Sequence, residues 1–365
     1  MAARCCSPRI APAGSAAPTS GCRPARRAGT NGGSLMKPAP SHSLLVLALI
    51  LAACRRESTG VPPETLAIAP LASMAAEDAP RYSDWSAPVN LGAPVNTSFI
   101  DQGADISKDG LSLYYFCGNC PDTFGNADIW VAHRASIDAA WGTPQRLGAN
   151  VNSPSNETAA RLSIDGHRLY FTSDRSGGFG GTDIYVSRRR DKRDDQGWEP
   201  AVNLGSGVNT SAGEAQPAPF EDEATGTTLL YFASNRAGGP GMNDIYVSTL
   251  QADGTFGPAA AVAELNTPFQ DQQPAIRRDG LELFLGSDRT GTVGSIDLWV
   301  STRASTTDPW SPPVNLGTVV NSTVQDGRPA LSFDGTQLYF QSPRPGGLGS
   351  FDLYVTTRTK LQGPN

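Results

Sequence analysis

From Trp85 onward, short apolar runs alternate with turn-forming residues at a regular interval. One stretch has Leu162-Ser163-Ile164 before an Asp-Gly pair, Leu169-Tyr170-Phe171 after it, and then a glycine-rich loop that leads to Asp183-Ile184-Tyr185-Val186-Ser187. Asp-Gly favours a tight hairpin because the turn requires positive φ angles. Runs that are apolar on both faces suit strands that are covered on both sides. The pattern therefore predicts an all-β domain.

The same order of elements occurs five times. Each copy begins with an aromatic residue and a short apolar stretch, and the leading aromatic residues are separated by 56, 57, 58 and 54 residues. They are Trp85, Trp141, Trp198, Phe256 and Trp310. Four short strands per copy are typical of a β-propeller blade, and regular repetition indicates that the copies stack on one another. We therefore predict a five-bladed β-propeller of four-stranded blades over residues 85–358.

The two ends of the repeat array complement each other. The array begins with a single strand, Trp85–Leu91, and ends with three strands, residues 329–358, that no fourth strand follows. Pairing of the first strand with Asp352–Thr357 would complete the last blade and remove two open sheet edges. The sequence thus predicts that the N-terminal strand closes the ring and that residues 359–365 form a C-terminal tail.

The first 84 residues lack the repeat. Residues 1–35 are rich in Ala, Pro, Gly and Arg, which indicates disorder or a start assigned too far upstream, with Met36 as the alternative to Met1. Residues 36–53 are predicted to be a lipoprotein signal peptide, because the apolar run Leu44–Leu51 is too short to cross about 30 Å of hydrocarbon. Residues 54–84, rich in Pro, Ala, Ser and Glu, are predicted to be a flexible tether.

The segment Leu51-Ala52-Ala53-Cys54 resembles the lipobox of bacterial lipoproteins, in which the cysteine is acylated and becomes the first residue of the mature chain. An ordinary signal peptide with a chance cysteine is the alternative. The resemblance implies lipidation at Cys54 and a protein that is anchored in the bacterial cell envelope and faces the periplasm. Arg55 favours the outer membrane over the inner one.

The copies also resemble the TolB-like (WD-repeat-like) β-propeller repeat of bacterial envelope proteins. The stretches that carry this resemblance are Ser163-Ile164-Asp165-Gly166, Ser173-Asp174-Arg175 and Asp183-Ile184-Tyr185-Val186, and their equivalents recur in the other copies. The resemblance implies a periplasmic platform whose partner is an envelope protein or peptide. One fold hosts many activities, so the implication is stronger for fold than for function.

The distribution of charge argues against one class of partner. Residues 1–53 carry six basic residues and no acidic one, so the remaining chain has 23 basic and 35 acidic residues. An acidic domain repels the phosphate backbone, and we therefore expect no nucleic-acid partner. We expect contact with the membrane through the lipid anchor only, and a monomer.

An acidic residue precedes the first hairpin strand of every copy, five residues after an asparagine. The five acids are Asp101, Glu157, Glu214, Asp271 and Asp326. The first strand of a blade lines the central channel, so these carboxylates are candidates for a ring at one mouth of the channel. Such a ring would bind a cation or a basic peptide, or two of its members would catalyse glycoside hydrolysis. Alternatively, each acid fastens its own loop by accepting backbone N–H bonds, which repetition in all five copies favours.

A second acid closes each glycine-rich loop. These acids are Asp128, Asp183, Asp244, Asp297 and Asp352. Four copies also carry an arginine in this loop, namely Arg175, Arg236, Arg289 and Arg344. We expect Asp–Arg pairs that brace the loops.

Cysteines and histidines suggest little further chemistry. Cys120 of the first copy stands where the second copy has Arg175, and an oxidising compartment favours a local disulfide between Cys117 and Cys120 over a redox site. His133 and His167 lie at non-equivalent positions of different copies, so the sequence suggests neither a histidine metal cluster nor a Ser-His-Asp triad. We predict no cofactor.

Two classes of function remain. The sequence favours a non-enzymatic cell-envelope lipoprotein that binds or scaffolds proteins or peptides. The alternative is a carbohydrate-active hydrolase that uses carboxylates at the channel mouth. An enzyme should have one copy that departs from the repeat in a chemically useful way, and the first copy departs most, through its cysteine pair.

Overall fold

A computed structural model describes residues 81–223 and 225–361 of the chain. The N-terminal segment, the signal peptide, Cys54, most of the predicted tether and the last four residues lie outside the described residues. Across the described ranges the regular elements are strands, and no helix has the length and apolar character needed to span a membrane.

The strands form five sheets of four strands and one sheet of two, and every pairing within them is antiparallel. Two strands come before the first complete blade: β1 (Arg81–Tyr82) and β2 (Val89–Asn90). Blade 1 contains β3 (Ile100–Ile106), β4 (Ser112–Gly118), β5 (Ala127–His133) and β6 (Gln145–Arg146). Blade 2 contains β7 (Glu157–Leu162), β8 (Arg168–Ser173), β9 (Asp183–Arg188) and β10 (Val202–Asn203).

The remaining blades follow the same plan. Blade 3 contains β11 (Glu214–Asp222), β12 (Thr227–Ser234), β13 (Asp244–Thr249) and β14 (Ala260–Ala261). Blade 4 contains β15 (Asp271–Ile276), β16 (Glu282–Ser287), β17 (Asp297–Thr302) and β18 (Val314–Asn315). Blade 5 contains β19 (Gly327–Leu331), β20 (Gln337–Ser342), β21 (Asp352–Thr357) and, as its fourth strand, β2. A last strand, β22 (Lys360–Leu361), pairs with β1.

The predicted five-bladed propeller and its mode of closure are confirmed. In β2, Val89 pairs with Val355 and Asn90 with Tyr354, so the N-terminal strand completes the last blade. The first strands of neighbouring blades contact one another in order around the ring, and β19 contacts β3. We call β3, β7, β11, β15 and β19 the inner strands, because they surround the central channel.

Each inner strand carries a β-bulge in its middle. The ladder to the second strand shifts register there, for example between Gln272 and Ala275 in blade 4. One residue per bulge has a positive φ: Gly103 (65°), Ala159 (51°), Gln216 (57°), Gln273 (62°) and Arg328 (53°). A bulge re-aims side chains and increases the local twist. Here it makes one residue of each blade line the narrowest part of the channel.

Apolar side chains fill the space between neighbouring blades. Between blades 1 and 2, Phe116, Ile129 and Val131 pack with Leu169 and Phe171, and each is at most 5% exposed. Four further clusters occupy the other interfaces. Burying one such side chain contributes about 1.5–3 kcal/mol, so these interfaces are a main source of stability.

The glycine-rich loops owe their composition to close backbone contact. In each blade, one loop glycine lies so near the loop before the next inner strand that a Cβ would sit 1.6–2.1 Å from a carbonyl oxygen. These glycines are Gly125, Gly180, Gly241, Gly294 and Gly349. Any side chain there would force neighbouring blades apart.

Candidate functional site

The five acids predicted to form a ring lie at the starts of the inner strands, and each is 0% exposed. Glu157 shows what holds them. It accepts hydrogen bonds from the backbone N–H of Ser153 (2.7 Å), from the hydroxyls of Ser153 (2.7 Å) and Ser173 (2.7 Å), and from Arg175 Nη2 (3.0 Å). The carboxylate therefore fastens the loop between two blades.

The same bonds recur around the ring. The backbone N–H and the hydroxyl of the residue four positions earlier bind each of the other acids, and the residues that donate are Thr97, Thr210, Thr267 and Ser322. Since no carboxylate in this set reaches solvent, a solvent-facing ring at the channel mouth is not formed. The contacts are those of the loop-fastening alternative.

The loop arginines bind this first set of acids, which corrects the expected pairing with the second set. Arg236 contacts Glu214 at 3.1 Å, Arg344 contacts Asp326 at 2.6 Å, and Arg289 contacts Asp271. The acids that close the glycine-rich loops are bound by other groups. Asp183, for example, accepts bonds from the N–H of Phe179 (2.5 Å), the N–H of Gly180 (3.1 Å) and the side-chain amide of Asn203 (2.8 Å).

Blade 1 lacks the arginine, and its acid is different as a result. Cys120 stands in the arginine's place and forms a disulfide with Cys117, and the Asp101 carboxylate lies within 4.8 Å of both sulfurs. Asp101 Oδ1 has no hydrogen-bond partner. Burial raises the pKa of Asp101 to about 6, against the hydrogen bonds from Thr97 that lower it. Sulfurs joined in a disulfide are not thiolates, so this group is not a metal site in its oxidised form.

The other end of the channel, where the inner strands lead into the Asp-Gly hairpins, is open. We call it the hairpin-end mouth. Its wall is formed by the residue four positions after each acid: Asp105, Arg161, Ala218, Ala275 and Ala330. The mouth thus carries a charged pair on blades 1 and 2 and small apolar side chains on the other three blades.

Asp105 and Arg161 are both largely buried, with side chains 15% and 10% exposed. Arg161 Nη1 lies 3.4 Å from Asp105 Oδ1, and the N–H of Leu162 donates to Asp105 Oδ2 at 2.8 Å. Burial raises the pKa of Asp105 although both of these contacts oppose the shift. A carboxyl group with a raised pKa therefore lies beside open space.

Three cavities meet at this mouth and form what we call the hairpin-end groove. A central cavity of about 110 Å³ contains Asp105, and cavities of about 590 and 940 Å³ adjoin it on either side. Phe333 lines all three. Lys108 Nζ and Arg278 Cζ lie 4.5 and 4.3 Å from the centre of its ring. The aromatic ring of Phe333, cationic groups and carboxyl groups therefore line three adjoining cavities.

Ser112 and His133 line the larger cavity and form, with Asp195, a serine–histidine–aspartate arrangement that the sequence did not predict. Ser112 and His133 are paired across β4 and β5, and Ser112 Oγ lies 3.0 Å from His133 Nδ1. His133 Nε2 lies 2.8 Å from Asp195 Oδ2 in blade 2. In the tautomer that carries its proton on Nε2, His133 donates a hydrogen bond to Asp195. Nδ1 is then free to accept a hydrogen bond from the Ser112 hydroxyl. The expectation that the histidines have no such partners is wrong for His133, whereas Nδ1 of His167 contacts the Arg189 carbonyl oxygen at 3.0 Å and its backbone N–H donates to Asp165.

Asp105 and Arg161, which sequence reasoning missed, share one signal. Aligned on the five acids, the repeats have alanine four positions later in blades 3, 4 and 5, but Asp105 in blade 1 and Arg161 in blade 2. Charged residues that replace alanine in an inner strand break the symmetry at the channel. The cysteine pair, which is the more visible departure, lies away from this mouth.

No protein-family model matches the chain, and a search of curated proteins finds no match. Solved structures do match. An α-L-arabinofuranosidase from Lactobacillus brevis is 16% identical over 74% of this chain and 93% of its own, with a TM-score of 0.51. The catalytic domain of a GH62 α-L-arabinofuranosidase from Coprinopsis cinerea is 12% identical over 76% of this chain and 98% of its own, with a TM-score of 0.52. At these identities the likeness establishes the five-bladed β-propeller fold.

TolB from Acinetobacter baumannii is also similar, at 12% identity over 70% of this chain and 54% of its own, but its TM-score of 0.44 is too low to support an argument. These findings correct the functional prediction. The sequence favoured a non-enzymatic binding platform and no enzymatic activity, whereas the similar folds with the higher scores are those of glycoside hydrolases. The preference for a non-enzymatic platform is therefore wrong.

Proposed function

We propose that the protein is a carbohydrate-active hydrolase and that its substrate lies in the hairpin-end groove. One observation carries the proposal: a fold shared with arabinofuranosidases has, at one mouth of its channel, a groove of adjoining cavities with a buried carboxyl group at its centre. The aromatic ring of Phe333 and the charged groups beside it are suited to the apolar faces and hydroxyl groups of a sugar. The acids that the sequence singled out fasten loops and are not part of this site.

Glycoside hydrolysis needs a protonated carboxylic acid and an ionised carboxylate. Asp105 has the properties of the acid, because burial raises its pKa. Aspartates of the hairpin turns have the properties of the second group. Burial opposes ionisation of Asp334, but hydrogen bonds from Ser332 and Thr336 outweigh it and lower the pKa. Carboxyl groups whose pKa values shift in opposite directions are the expected acid–base pair of such a site.

Three hairpin aspartates with a lowered pKa face the groove, and the second carboxylate is drawn from them: Asp109, Asp165 and Asp334. In this proposal Asp105 donates a proton to the leaving oxygen, while the ionised aspartate attacks the anomeric carbon or activates water. Arg161 is a positioning residue that holds Asp105 toward the groove.

The test is hydrolysis of an aryl α-L-arabinofuranoside and of arabinofuranosyl-containing polysaccharides. We expect Asp105→Asn to lower kcat/KM by at least 100-fold, since a general acid contributes about 10²–10⁴ in rate. Asp138→Asn, at an exposed loop position of the same blade, is the matched control and should retain full activity. Equal activity of Asp105→Asn and the control would refute the role of Asp105.

The serine–histidine–aspartate arrangement supports a second candidate activity, hydrolysis of an ester. Ser112 Oγ would attack the ester carbonyl while His133 Nδ1 takes the hydroxyl proton and passes it to the leaving alkoxide, and water would then release the acid. Asp195 is 9% exposed and is also bound by Arg189 Nη1 at 2.5 Å, which fixes its position beside His133. Ester hydrolysis lost in Ser112→Ala but kept in Asp105→Asn would support this activity. Labelling of Ser112 by a fluorophosphonate would report its nucleophilicity directly.

We further propose that the mature chain begins at acylated Cys54 and is anchored in the outer membrane, facing the periplasm. The apolar run before Cys54 and the lipobox-like segment support this. Mass spectrometry of detergent-extracted protein should find Cys54 as the first residue, with the mass of acyl chains. A mature chain without lipid that begins elsewhere would contradict the proposal. The TolB-like relationship, the monomeric state and the absence of a nucleic-acid partner stay predictions.

A further inference from the structure

The bulge residues of the inner strands form a belt across the middle of the channel. In blades 3 and 4 this residue is glutamine, and its side-chain oxygen accepts a backbone N–H of the next blade. Gln216 Oε1 accepts from Gln273 N at 2.9 Å, and Gln273 Oε1 accepts from Arg328 N at 2.7 Å. In blade 5 the residue is Arg328, which has donors only and cannot continue this pattern.

Two nitrogens of the Arg328 side chain are left without polar partners. Its side chain runs past Gly103, whose Cβ position would be 3.6 Å from Arg328 Cδ, and its guanidinium lies 5.1 Å from the centre of the Phe116 ring. Nε and Nη1 are buried and have no hydrogen-bond partner. Burial and, second, the charge of Arg161 lower the pKa of Arg328 to about 10. The guanidinium thus stays charged at neutral pH.

Arg161 does not relieve this charge. Its guanidinium donates to the carbonyl oxygens of Ala104 (2.5 Å) and Pro329 (2.6 Å), and its carboxylate partner is Asp105. Both guanidinium groups line the channel, and one carboxyl group, Asp105, contacts Arg161, so these three side chains carry a net positive charge. Burying a charge without a partner is costly, whereas an ion pair offsets part of that cost.

A small cavity lies where these groups meet. It measures about 10 Å³, room for a single occupant of about the size of water, and is lined by Gly103, Ala159, Arg161, Gln216, Gln273 and Arg328. These six residues, all within the described part of the chain, include no carboxylate. The oxygens of Gln216 and Gln273 each already accept one backbone N–H, whereas Arg328 Nε and Nη1 are donors without a partner.

We propose that the centre of the channel binds one small monovalent anion of about the size of chloride, with Arg328 Nε and Nη1 as donors. A water molecule would accept these hydrogen bonds but would leave the net charge in place. An organic carboxylate or a phosphate is too large for the cavity. The site does not depend on the proposed hydrolase activity. It joins blade 5 to blade 1, so the anion would stabilise the fold.

The first test is a crystal structure of the wild-type protein grown in bromide. We expect an anomalous peak within hydrogen-bonding distance of Arg328 Nε. Density at this point with no anomalous signal would show that the occupant is water and would overturn the proposal.

The second test compares thermal unfolding in sodium chloride and in sodium gluconate at equal ionic strength. We expect chloride to raise the Tm by about 2–4 °C, since a ligand that binds only the folded state stabilises it. Arg328→Gln, which copies blades 3 and 4, should fold and lose the chloride effect. Lys108→Gln removes an exposed cation at the hairpin-end mouth, and this variant should still show the chloride effect on the Tm. Equal Tm values in the two salts, or a chloride effect that persists in Arg328→Gln, would refute the anion site.

Discussion

Glu157 and Asp101 are equivalent carboxylates of two blades. Neutralising them by substitution should change the stability of the protein in opposite directions. Both begin inner strands and both are 0% exposed. Glu157 accepts four hydrogen bonds, one of them from Arg175 at 3.0 Å. Asp101 has the bonds from Thr97 but faces a disulfide where the arginine would be, and its Oδ1 has no partner.

For Glu157→Gln we expect a loss of stability. A hydrogen bond to a charged group contributes about 1.5–3 kcal/mol, and the substitution removes the charge from four such bonds while keeping part of their geometry. It also leaves Arg175, 18% exposed, without its counter-charge. The free energy of unfolding should fall by about 2–4 kcal/mol, and the Tm by about 4–8 °C for a domain of this size.

For Asp101→Asn we expect a gain in stability at alkaline pH. The pKa in the folded state is raised from 3.8 to about 6, chiefly by burial. A raised pKa means that the group stabilises the protein below pH 3.8 and that this contribution is lost as the pH rises through about 6. The loss is about 3 kcal/mol by about pH 8, at 1.36 kcal/mol per pKa unit. Placing the asparagine amide costs about 1 kcal/mol, so the net gain is about 1–2 kcal/mol.

Urea unfolding of the wild type, Glu157→Gln, Asp101→Asn and the control Asp138→Asn at about pH 4, pH 6 and pH 8 measures both effects. The difference between Asp101→Asn and the wild type should grow as the pH rises, whereas Glu157→Gln should be less stable than both the wild type and the control. Stabilisation by Glu157→Gln would indicate repulsion within a ring of carboxylates and refute the loop-fastening role. A pH-independent effect of Asp101→Asn would refute the raised pKa.

Two further predictions concern the closing strand β2 and the disulfide of blade 1. Deletion of residues 85–92 removes β2 and the hydrogen bond from Asn90 Nδ2 to Asp352 (2.8 Å). Because the edge of β21 is then exposed, the protein should aggregate, or its Tm should fall by at least about 5 °C. An unchanged Tm would contradict closure by β2. Alkylation of the native protein should modify neither Cys117 nor Cys120 until a reductant is added, and modification of both without reductant would contradict the disulfide.

The repeats made the fold predictable from the sequence. Leading aromatic residues, Asp-Gly turns and incomplete ends determine the number of strands, the number of blades and the closing pair, because each is a local pattern with one geometric solution. For the same reason, the sequence favoured loop fastening over binding or catalysis as the role of the five acids. A residue that recurs in every blade serves what every blade needs, and Glu157 does so by fastening a loop.

The site was less predictable because bulges determine it. A bulge changes which residues of an inner strand face the channel, and the sequence gives no sign of it in Gln273 or Arg328, whose positive φ is unusual for such side chains. The pairing of Ser112 and His133 with Asp195 also joins two blades, so no spacing within one repeat announces it. Comparison of the copies position by position would have singled out Asp105 and Arg161 but not their surroundings.

The most direct test of the proposed function is a crystal structure of Asp105→Asn with an arabino-oligosaccharide. We expect density for the sugar in the hairpin-end groove, with a glycosidic oxygen within hydrogen-bonding distance of residue 105 and a sugar ring beside Phe333. Sugar bound at the opposite end of the channel, or no binding at concentrations that saturate an arabinofuranosidase, would contradict it.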